Sequence, residues 1–190
     1  MRTTINSFTN EKCKLSGDIW ATISGAFVTQ PAKRGSVLLH EGDVSDKLYF
    51  IESGLVRAFY EWEGKEYTSW FASDEQFACS ARSFFRQVPS FETIQVIEPS
   101  IIAYVRHSDI QRILTAMPEV ENLMRLLAEH FLLQNESRLR VLRSLTAQQR
   151  FDHFVQHYPE LYSRVPLQHL ASYLDVTPST LSRLRAKRSV

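Results

Sequence analysis

The sequence predicts an α+β protein with an N-terminal antiparallel β-roll, a long helix and a C-terminal helix-turn-helix. Short apolar runs separated by turn residues fill residues 34–106, and the apolar period becomes helical from residue 108 onward. Two short helix patterns then meet at a tight turn near the C-terminus. We therefore expect a roll domain over residues 1–116, a linking helix over 117–145 and a helix-turn-helix domain over 146–190.

The strand region is punctuated by residues that favour turns. Gly42, Gly54, Gly64 and Pro99 interrupt short runs rich in β-branched and aromatic side chains. The stretch "EWEGKEY" predicts a hairpin in which Gly64 supplies the positive φ of the turn. Several strands at this spacing favour a roll or sandwich.

The chain shows no signature of a membrane or secreted protein. No run approaches the roughly 18 unbroken apolar residues of a membrane span, and the N-terminus lacks the apolar core and cleavage site of a signal peptide. Cys13 and Cys79 are far apart and have no metal-ligand spacing. We expect a cytoplasmic protein with reduced cysteines, and without a metal, a cofactor or a membrane partner.

The predicted long helix has a wide apolar face. Residues 118–145 contain no glycine and no internal proline. A 4-3-4 apolar spacing, typical of a seam between paired helices, is formed by Val120, Met124, Leu127 and Phe131. Leucines beside this seam widen the stripe, so we expect the helix to pack on its own domain and on a second copy of the chain. A helix that packs on one side only, in a monomer, is the alternative.

Basic residues concentrate at the C-terminus. From residue 138 onward there are nine Lys or Arg against three acidic residues, whereas the first 137 residues hold 13 basic and 18 acidic ones. This asymmetry indicates that one end of the molecule meets a polyanion. A merely soluble helical surface is the alternative.

The stretch "LQHLASYLDVTPSTLSRLR", residues 167–185, has the pattern of a DNA-binding helix-turn-helix. Asp175 stands at the turn position where glycine is usual, Thr177 is a candidate N-cap, and Pro178 suits the first helical position. We expect Ser179 and its neighbours to reach base edges, the basic residues further along to meet phosphates, and the start of the first helix to touch the DNA backbone. The candidate DNA-binding residues are Gln168, Thr177, Ser179, Thr180, Arg183, Arg185, Lys187 and Arg188.

The sequence resembles the Crp/Fnr family of transcription regulators over nearly its whole length. "RGSVLLHEGDVSDKLYFIESGLVRAFY" is similar to the start of that family's effector-binding roll, a cyclic nucleotide-binding-like jelly roll. "HLASYLDVTPSTLSRLR" is similar to the winged-helix-like helix-turn-helix of short members found in Bacteroidetes. The resemblance implies a cytoplasmic homodimer that pairs through its long helix, binds double-stranded DNA sequence-specifically and has RNA polymerase as a further partner.

The resemblance is weakest where cyclic-nucleotide binders of the family hold their ligand. Those proteins use a Gly-Glu pair for the ribose and an Arg for the phosphate, but here Cys79 and Ser80 replace the pair and Ser90 replaces the Arg. A phosphate cradle needs a bidentate cation and free amides, so we expect an unknown effector other than cAMP, or a purely structural roll. The candidate pocket residues are Cys79, Ser80, Arg82, Ser83, Arg86 and Ser90, with Arg82 or Arg86 as a substitute cation.

The DNA-reading end departs from the family as well. Pro178 and Ser179 stand where the best-known members have a base-reading Arg and Glu, and only Arg183 matches a base-reading residue. The sequence also ends without the usual final β-hairpin, so we expect no wing. The operator sequence therefore cannot be carried over from the family.

Two other classes of function compete with a DNA-binding regulator. A cupin-like metalloenzyme needs two or three histidines and a carboxylate on converging strands. Here His40 and Glu41 are adjacent, and adjacent strand residues point to opposite faces, so we expect no enzyme. A cyclic-nucleotide-binding module whose truncated helix-turn-helix mediates protein contacts is the other alternative, although the basic tail "SRLRAKRSV" argues against it.

Overall fold

The computed structural model describes residues 17–188, except for the side chains of Trp20 and Arg188. Cys13, the side chain of Arg188 and any contribution of residues 189–190 to a wing lie outside the described part of the chain. The strands are β1 (Val28–Ala32), β2 (Val37–Leu39), β3 (Lys47–Ser53), β4 (Leu55–Trp62), β5 (Lys65–Ser73), β6 (Gln76–Ala78), β7 (Thr93–Val96) and β8 (Ser100–Arg106). The helices are α1 (Gly17–Gly25), α2 (Ala81–Arg86), α3 (His107–Ala116), α4 (Glu121–Ser144), α5 (Ala147–His157), α6 (Pro159–Arg164), α7 (Leu167–Tyr173) and α8 (Pro178–Arg188).

The strands form two antiparallel sheets of four that pack face to face as a roll. Their orders are β1-β8-β3-β6 and β2-β7-β4-β5. Apolar side chains from both sheets, among them Ile51, Val56 and Ile94, fill the space between them and are fully buried. The expected α+β fold with an antiparallel roll is confirmed.

The "EWEGKEY" hairpin is confirmed, with a two-residue turn between β4 and β5. Trp62 pairs with Lys65, and the turn residues Glu63 and Gly64 both have positive φ, 52° and 74°. This is the backbone that suits the right-handed twist of a hairpin, and glycine at the second position adopts it without a steric cost. The hairpin places β5 at an edge of its sheet.

The long helix packs on the chain's own roll through the side that the sequence assigned to a partner. Pro118–Val120 forms a 3₁₀ turn, and α4 continues from there to Ser144. Val120 and Leu127 are buried in the core beneath the first sheet, and Met124 and Phe131 pack against the same core. Val120 and Leu127 are therefore used within the chain and not in a seam between two chains, because the roll offers them an apolar surface. Met124 and Phe131 are only partly buried, and their part in a dimer stays a prediction.

A different apolar side of α4 is exposed. Leu132, Leu133 and Leu139 have exposed fractions of 66%, 62% and 48%. Leu132 and Leu139 are one heptad apart and lie on one face, with Leu133 beside them. The helix therefore has one apolar side against the roll and a second one that no described residue covers.

The C-terminal helices pack around their own core and share it with the roll. Phe151, Phe154, Leu170 and Leu181 are fully buried in this core. A capping box at Thr146, whose hydroxyl accepts from the Gln149 backbone while the Gln149 side chain accepts from the Thr146 amide, separates α5 from α4. The roll contributes apolar side chains to the same cluster, so the two parts are joined by a continuous core.

Candidate nucleic-acid interface and effector cavity

The turn between α7 and α8 has the geometry that its sequence predicts. Asp175 adopts the left-handed conformation with φ 52°. The Val176 amide donates to the Ala171 carbonyl at 3.0 Å, and the Asp175 amide donates to the Ser172 carbonyl at 3.2 Å. These bonds satisfy carbonyls at the end of α7, and the chain reverses direction within three residues.

The start of α8 is fixed by a cluster of hydroxyl groups. The Thr180 amide donates to Thr177 Oγ1 at 3.2 Å, as expected of an N-cap. Thr180 Oγ1 lies 2.9 Å from Thr177 Oγ1 and also accepts a hydrogen bond from Arg183 Nη2 at 3.2 Å. The Arg183 guanidinium is therefore held along the helix toward its N-terminal end, where base-reading side chains lie in helix-turn-helix proteins.

The remaining candidates on this surface are not equivalent. Gln168, Ser179 and Lys187 are exposed, whereas Leu181 and Leu184 anchor α8 from its inner side. Arg185 is half-buried, and its guanidinium lies 4.8 Å from the centre of the Tyr162 ring. Because Arg185 packs on its own domain, it is a poorer candidate for a phosphate contact than Lys187.

Helix α7 covers the exposed edge of β5. Ser172 Oγ accepts a hydrogen bond from the Thr68 amide at 2.8 Å and donates to the Glu66 carbonyl at 2.8 Å. One hydroxyl thus satisfies both a donor and an acceptor of the edge strand, which would otherwise be open to other chains. The Phe71 and Tyr173 rings, 5.2 Å apart, extend this contact.

Arg164, at the end of α6, joins the helical domain to three groups of the roll. Its guanidinium pairs with Asp74 at 2.6 Å and Glu98 at 2.5 Å, and donates to the Gly54 carbonyl at 2.8 Å. Burial acts to raise the pKa of Asp74, but hydrogen bonds from Arg164 and from the Gly54 amide outweigh it, so the pKa lies below its ordinary value. The domains are therefore held by charge as well as by apolar packing.

Three of the predicted pocket residues, Ser80, Ser83 and Ser90, form a closed serine cradle and not an open pocket. Ser90 Oγ donates to the Glu92 carbonyl at 2.8 Å and lies 3.0 Å from Ser80 Oγ, while the Ser45 amide donates to Ser83 Oγ at 2.8 Å. Ser80, Ser83 and Ser90 are all buried. These hydroxyls bind one another and the backbone, so they do not line an open anion site.

A cavity of about 240 Å³ lies beside the closed cradle, between the roll, α4 and the helix-turn-helix domain. Of the six predicted pocket residues, Cys79 and Arg82 line it. Burial raises the pKa of the Cys79 thiol well above its ordinary value, with the charge of Glu92 adding to the rise. Cys79 is therefore a small apolar wall residue and not a reactive thiol.

Glu92 also lines this cavity, although it is not one of the six predicted pocket residues. It is 97% buried, and its Oε1 accepts from the Trp70 indole at 3.4 Å. Burial raises its pKa above the ordinary value, opposed by the Ser80 hydroxyl, the Trp70 indole and the Ser69 hydroxyl. Sequence reasoning missed Glu92 because its partner Trp70 lies 22 positions earlier in the chain, on β5.

The described residues contain no group of three or more His, Cys, Asp or Glu that could hold a metal ion. Within the same part of the chain, no helix is long and apolar enough to cross a membrane.

Comparison with known proteins places this architecture in one class. Residues 29–116 match the family model of the cyclic nucleotide-binding domain. No curated protein sequence matches the chain. The roll, the long helix and the C-terminal helices together have the fold of Crp/Fnr transcription regulators.

Solved structures from several bacteria share the fold at low sequence identity. FixK2 from Bradyrhizobium japonicum is 16% identical, with 85% of this chain and 83% of that chain covered and a TM-score of 0.74. The c-di-GMP responsive global regulator CLP from Xanthomonas campestris is 16% identical, with 92% of each chain covered and a TM-score of 0.71. The catabolite activator protein from Thermus thermophilus is 18% identical, with 98% of this chain and 87% of that chain covered and a TM-score of 0.58.

Proposed function

We propose that this protein is a homodimeric, sequence-specific DNA-binding transcription regulator that places α8 in the major groove. The observation that carries the proposal is the capped start of α8, where Thr180 holds Arg183 while Ser179 and Lys187 stay exposed. The N-terminal part of such a helix meets base edges, and cations further along it meet phosphates. The net positive charge of the C-terminal residues suits the same polyanion.

The DNA proposal is tested by comparing one arginine variant and one lysine variant on a specific and on a random duplex. A preferred site is first selected from random DNA. Arg183→Ala should cost about 1–3 kcal/mol on that site and relax discrimination at one base. Lys187→Ala should weaken binding to every duplex alike and reduce the salt slope by about one. Lys33→Ala, which removes an exposed charge from the roll, is the matched control and should change neither.

Two outcomes contradict this assignment. Equal losses for Arg183→Ala and Lys187→Ala on specific and random DNA would make Arg183 another phosphate contact. No loss for either variant would mean that the α7–α8 pair is a structural hairpin.

The dimer is proposed to form through the exposed leucines of α4. Burying Leu132, Leu133 and Leu139 against a second copy removes an apolar strip that no described part of the chain covers. Leu133→Lys with Leu139→Lys should give monomers in light scattering, because burying two like charges at a helix seam is unfavourable. Gln111→Lys on the exposed side of α3 adds charge elsewhere and should stay dimeric. A monomeric wild-type protein at micromolar concentration would overturn this part of the proposal.

We further propose that cAMP and cGMP do not act as effectors. The hydroxyls of Ser80, Ser83 and Ser90 bond to one another or to the backbone, and the arginine that would bind the phosphate is replaced by Ser90. Losing two charge-assisted hydrogen bonds of about 1.5–3 kcal/mol each weakens affinity by at least about a hundredfold. Calorimetry should give no binding at micromolar cAMP, and low-micromolar affinity would refute this.

A further inference from the structure

The cavity at the junction of the domains has walls from both of them. Trp70 and Cys79 come from the roll, Phe131 and Arg138 from α4, and Phe154 from the helix-turn-helix domain. A molecule in this space therefore contacts the roll, α4 and the helix-turn-helix domain together. The relative position of these three parts determines where α8 lies. The serine cradle lies outside it, since Ser80, Ser83 and Ser90 do not line the cavity.

Most of the cavity wall is aromatic or aliphatic. The rings of Trp70, Phe71, Phe131 and Phe154 line it. Such walls bind the apolar body of a ligand, while a few polar groups set its orientation. A volume of about 240 Å³ is below the usual range of roughly 300–1,000 Å³ for drug-sized ligands, so the occupant is a small molecule.

Two arginines on the wall have hydrogen-bonding capacity that no described residue uses. Arg82 is exposed and makes no ion pair with any residue that the structure describes. Arg138 stacks on the Tyr173 ring at 3.6 Å and donates through Nη2 to the Tyr173 carbonyl, but its buried Nη1 has no hydrogen-bond partner within the described part of the chain. An unpaired buried donor is costly, and an anionic oxygen is the partner that offsets most of that cost.

The remaining charged residues of the cavity wall are Arg150, which is already hydrogen-bonded, and Glu92, which does not prevent an anion from binding. Arg150 donates to the carbonyls of Leu145, Leu174 and Asp175, so it serves the helix ends. Glu92 is buried, which favours its protonated form, and a protonated carboxyl can donate to a ligand oxygen.

We infer that this cavity binds a small organic carboxylic acid, whose apolar body lies among the aromatic rings and whose carboxylate pairs with Arg82 and Arg138. This inference deepens the proposed function, on which it rests, by naming the class of effector. Because the walls come from both domains, the bound acid stabilises the docked arrangement of the helix-turn-helix domain.

The test is a calorimetric titration of the full-length protein with 3-phenylpropionate, octanoate and the neutral 3-phenylpropionamide. Either acid should bind, and the amide should bind at least about tenfold more weakly than 3-phenylpropionate, since it lacks the charge. Arg82→Gln should weaken acid binding by about tenfold. Arg86→Gln is the matched control, because Arg86 is exposed on the same helix but does not line the cavity.

Two further variants separate this site from other surfaces. Ser137→Phe adds a ring from an exposed position of α4 that lines the cavity and should abolish binding. Glu92→Gln keeps a hydrogen-bond donor without a charge and should bind the acid at least as tightly as the wild type. Binding should also slow hydrogen exchange of the Thr68 amide, which the helix-turn-helix domain covers.

The inference is overturned if neither acid gives heat at millimolar concentration, if acid and amide bind alike, or if Arg82→Gln and Arg86→Gln behave alike. A parallel mobility-shift assay distinguishes this failure from that of the proposed function. Acid binding without DNA binding refutes the regulator and leaves the ligand site. DNA binding without acid binding refutes the ligand site and leaves the regulator.

Discussion

Arg164 is expected to hold the helix-turn-helix domain on the roll, and Arg164→Gln tests this. The arginine side chain is 23% exposed, and its partners Asp74 and Glu98 are 44% and 30% exposed. Ion pairs this open to solvent contribute about 0.5 kcal/mol each. The charge-assisted bond to the Gly54 carbonyl adds about 1.5 kcal/mol. The substitution should therefore destabilise docking by about 2–2.5 kcal/mol.

The amide of Thr68 reports on docking, because its acceptor is Ser172 Oγ of the docked domain. A loss of about 2–2.5 kcal/mol should raise its hydrogen-exchange rate about thirty- to sixtyfold. Arg143→Gln removes an exposed arginine of α4 and is the matched control, with no change expected. Exchange of Thr68 in the Arg164 variant within threefold of the control would refute the assignment.

The same contact gives docking a pH dependence of known sign. The pKa of Asp74 is depressed in the folded protein, so its contribution is present above the ordinary value for aspartate. That contribution is lost as the pH falls through the depressed value. In Arg164→Gln this acid-sensitive part of the Thr68 protection should disappear.

Two further predictions concern the roll and its contact with α7. Gly54→Ala should lower the free energy of unfolding by about 1–3 kcal/mol in denaturant titrations, because the φ of Gly54 is 115° and a Cβ there would lie 2.1 Å from Ser100 Oγ. Gly25→Ala is the control, because the space around its Cβ is open. A similar loss of stability in the control would contradict the argument. Burial lowers the pKa of His169 to about 4, with the charge of Arg57 adding to the effect, so its ring should titrate near pH 4 by NMR. On acidification His169 is protonated at a higher pH in the unfolded state than in the folded one, so it should reduce stability as the pH falls from about 6.5 to about 4. A measured pKa of 6 or above would be inconsistent with the packing of His169.

Local signals in the sequence predicted the elements that depend on neighbouring residues. Gly64 in "EWEGKEY" indicated the hairpin because its positive φ is a property of the residue itself. Thr177 and Pro178 indicated the start of α8, and Asp175 the left-handed turn before it, for the same reason. The order of roll, long helix and helix-turn-helix followed from the change of apolar period.

The long helix shows where a periodic pattern stops being sufficient. Its sequence reveals two apolar sides, but both have helical spacing, and nothing local states which one meets the roll. The structure places Leu127 inside and leaves Leu132 and Leu139 exposed. That choice depends on the shape of the sheet surface under α4, which residues far apart in the chain create.

The effector region was settled only by tertiary structure. The sequence showed that the cyclic-nucleotide residues are replaced, but Ser80 and Ser90 meet through a fold that brings residues ten positions apart into one buried network. Arg138 and Glu92 come from α4 and from the segment before β7, and they share a cavity because the helical domain docks on the edge of β5. The sequence by itself determined the local conformations, whereas packing between distant segments decided which side chains remain free to bind a ligand.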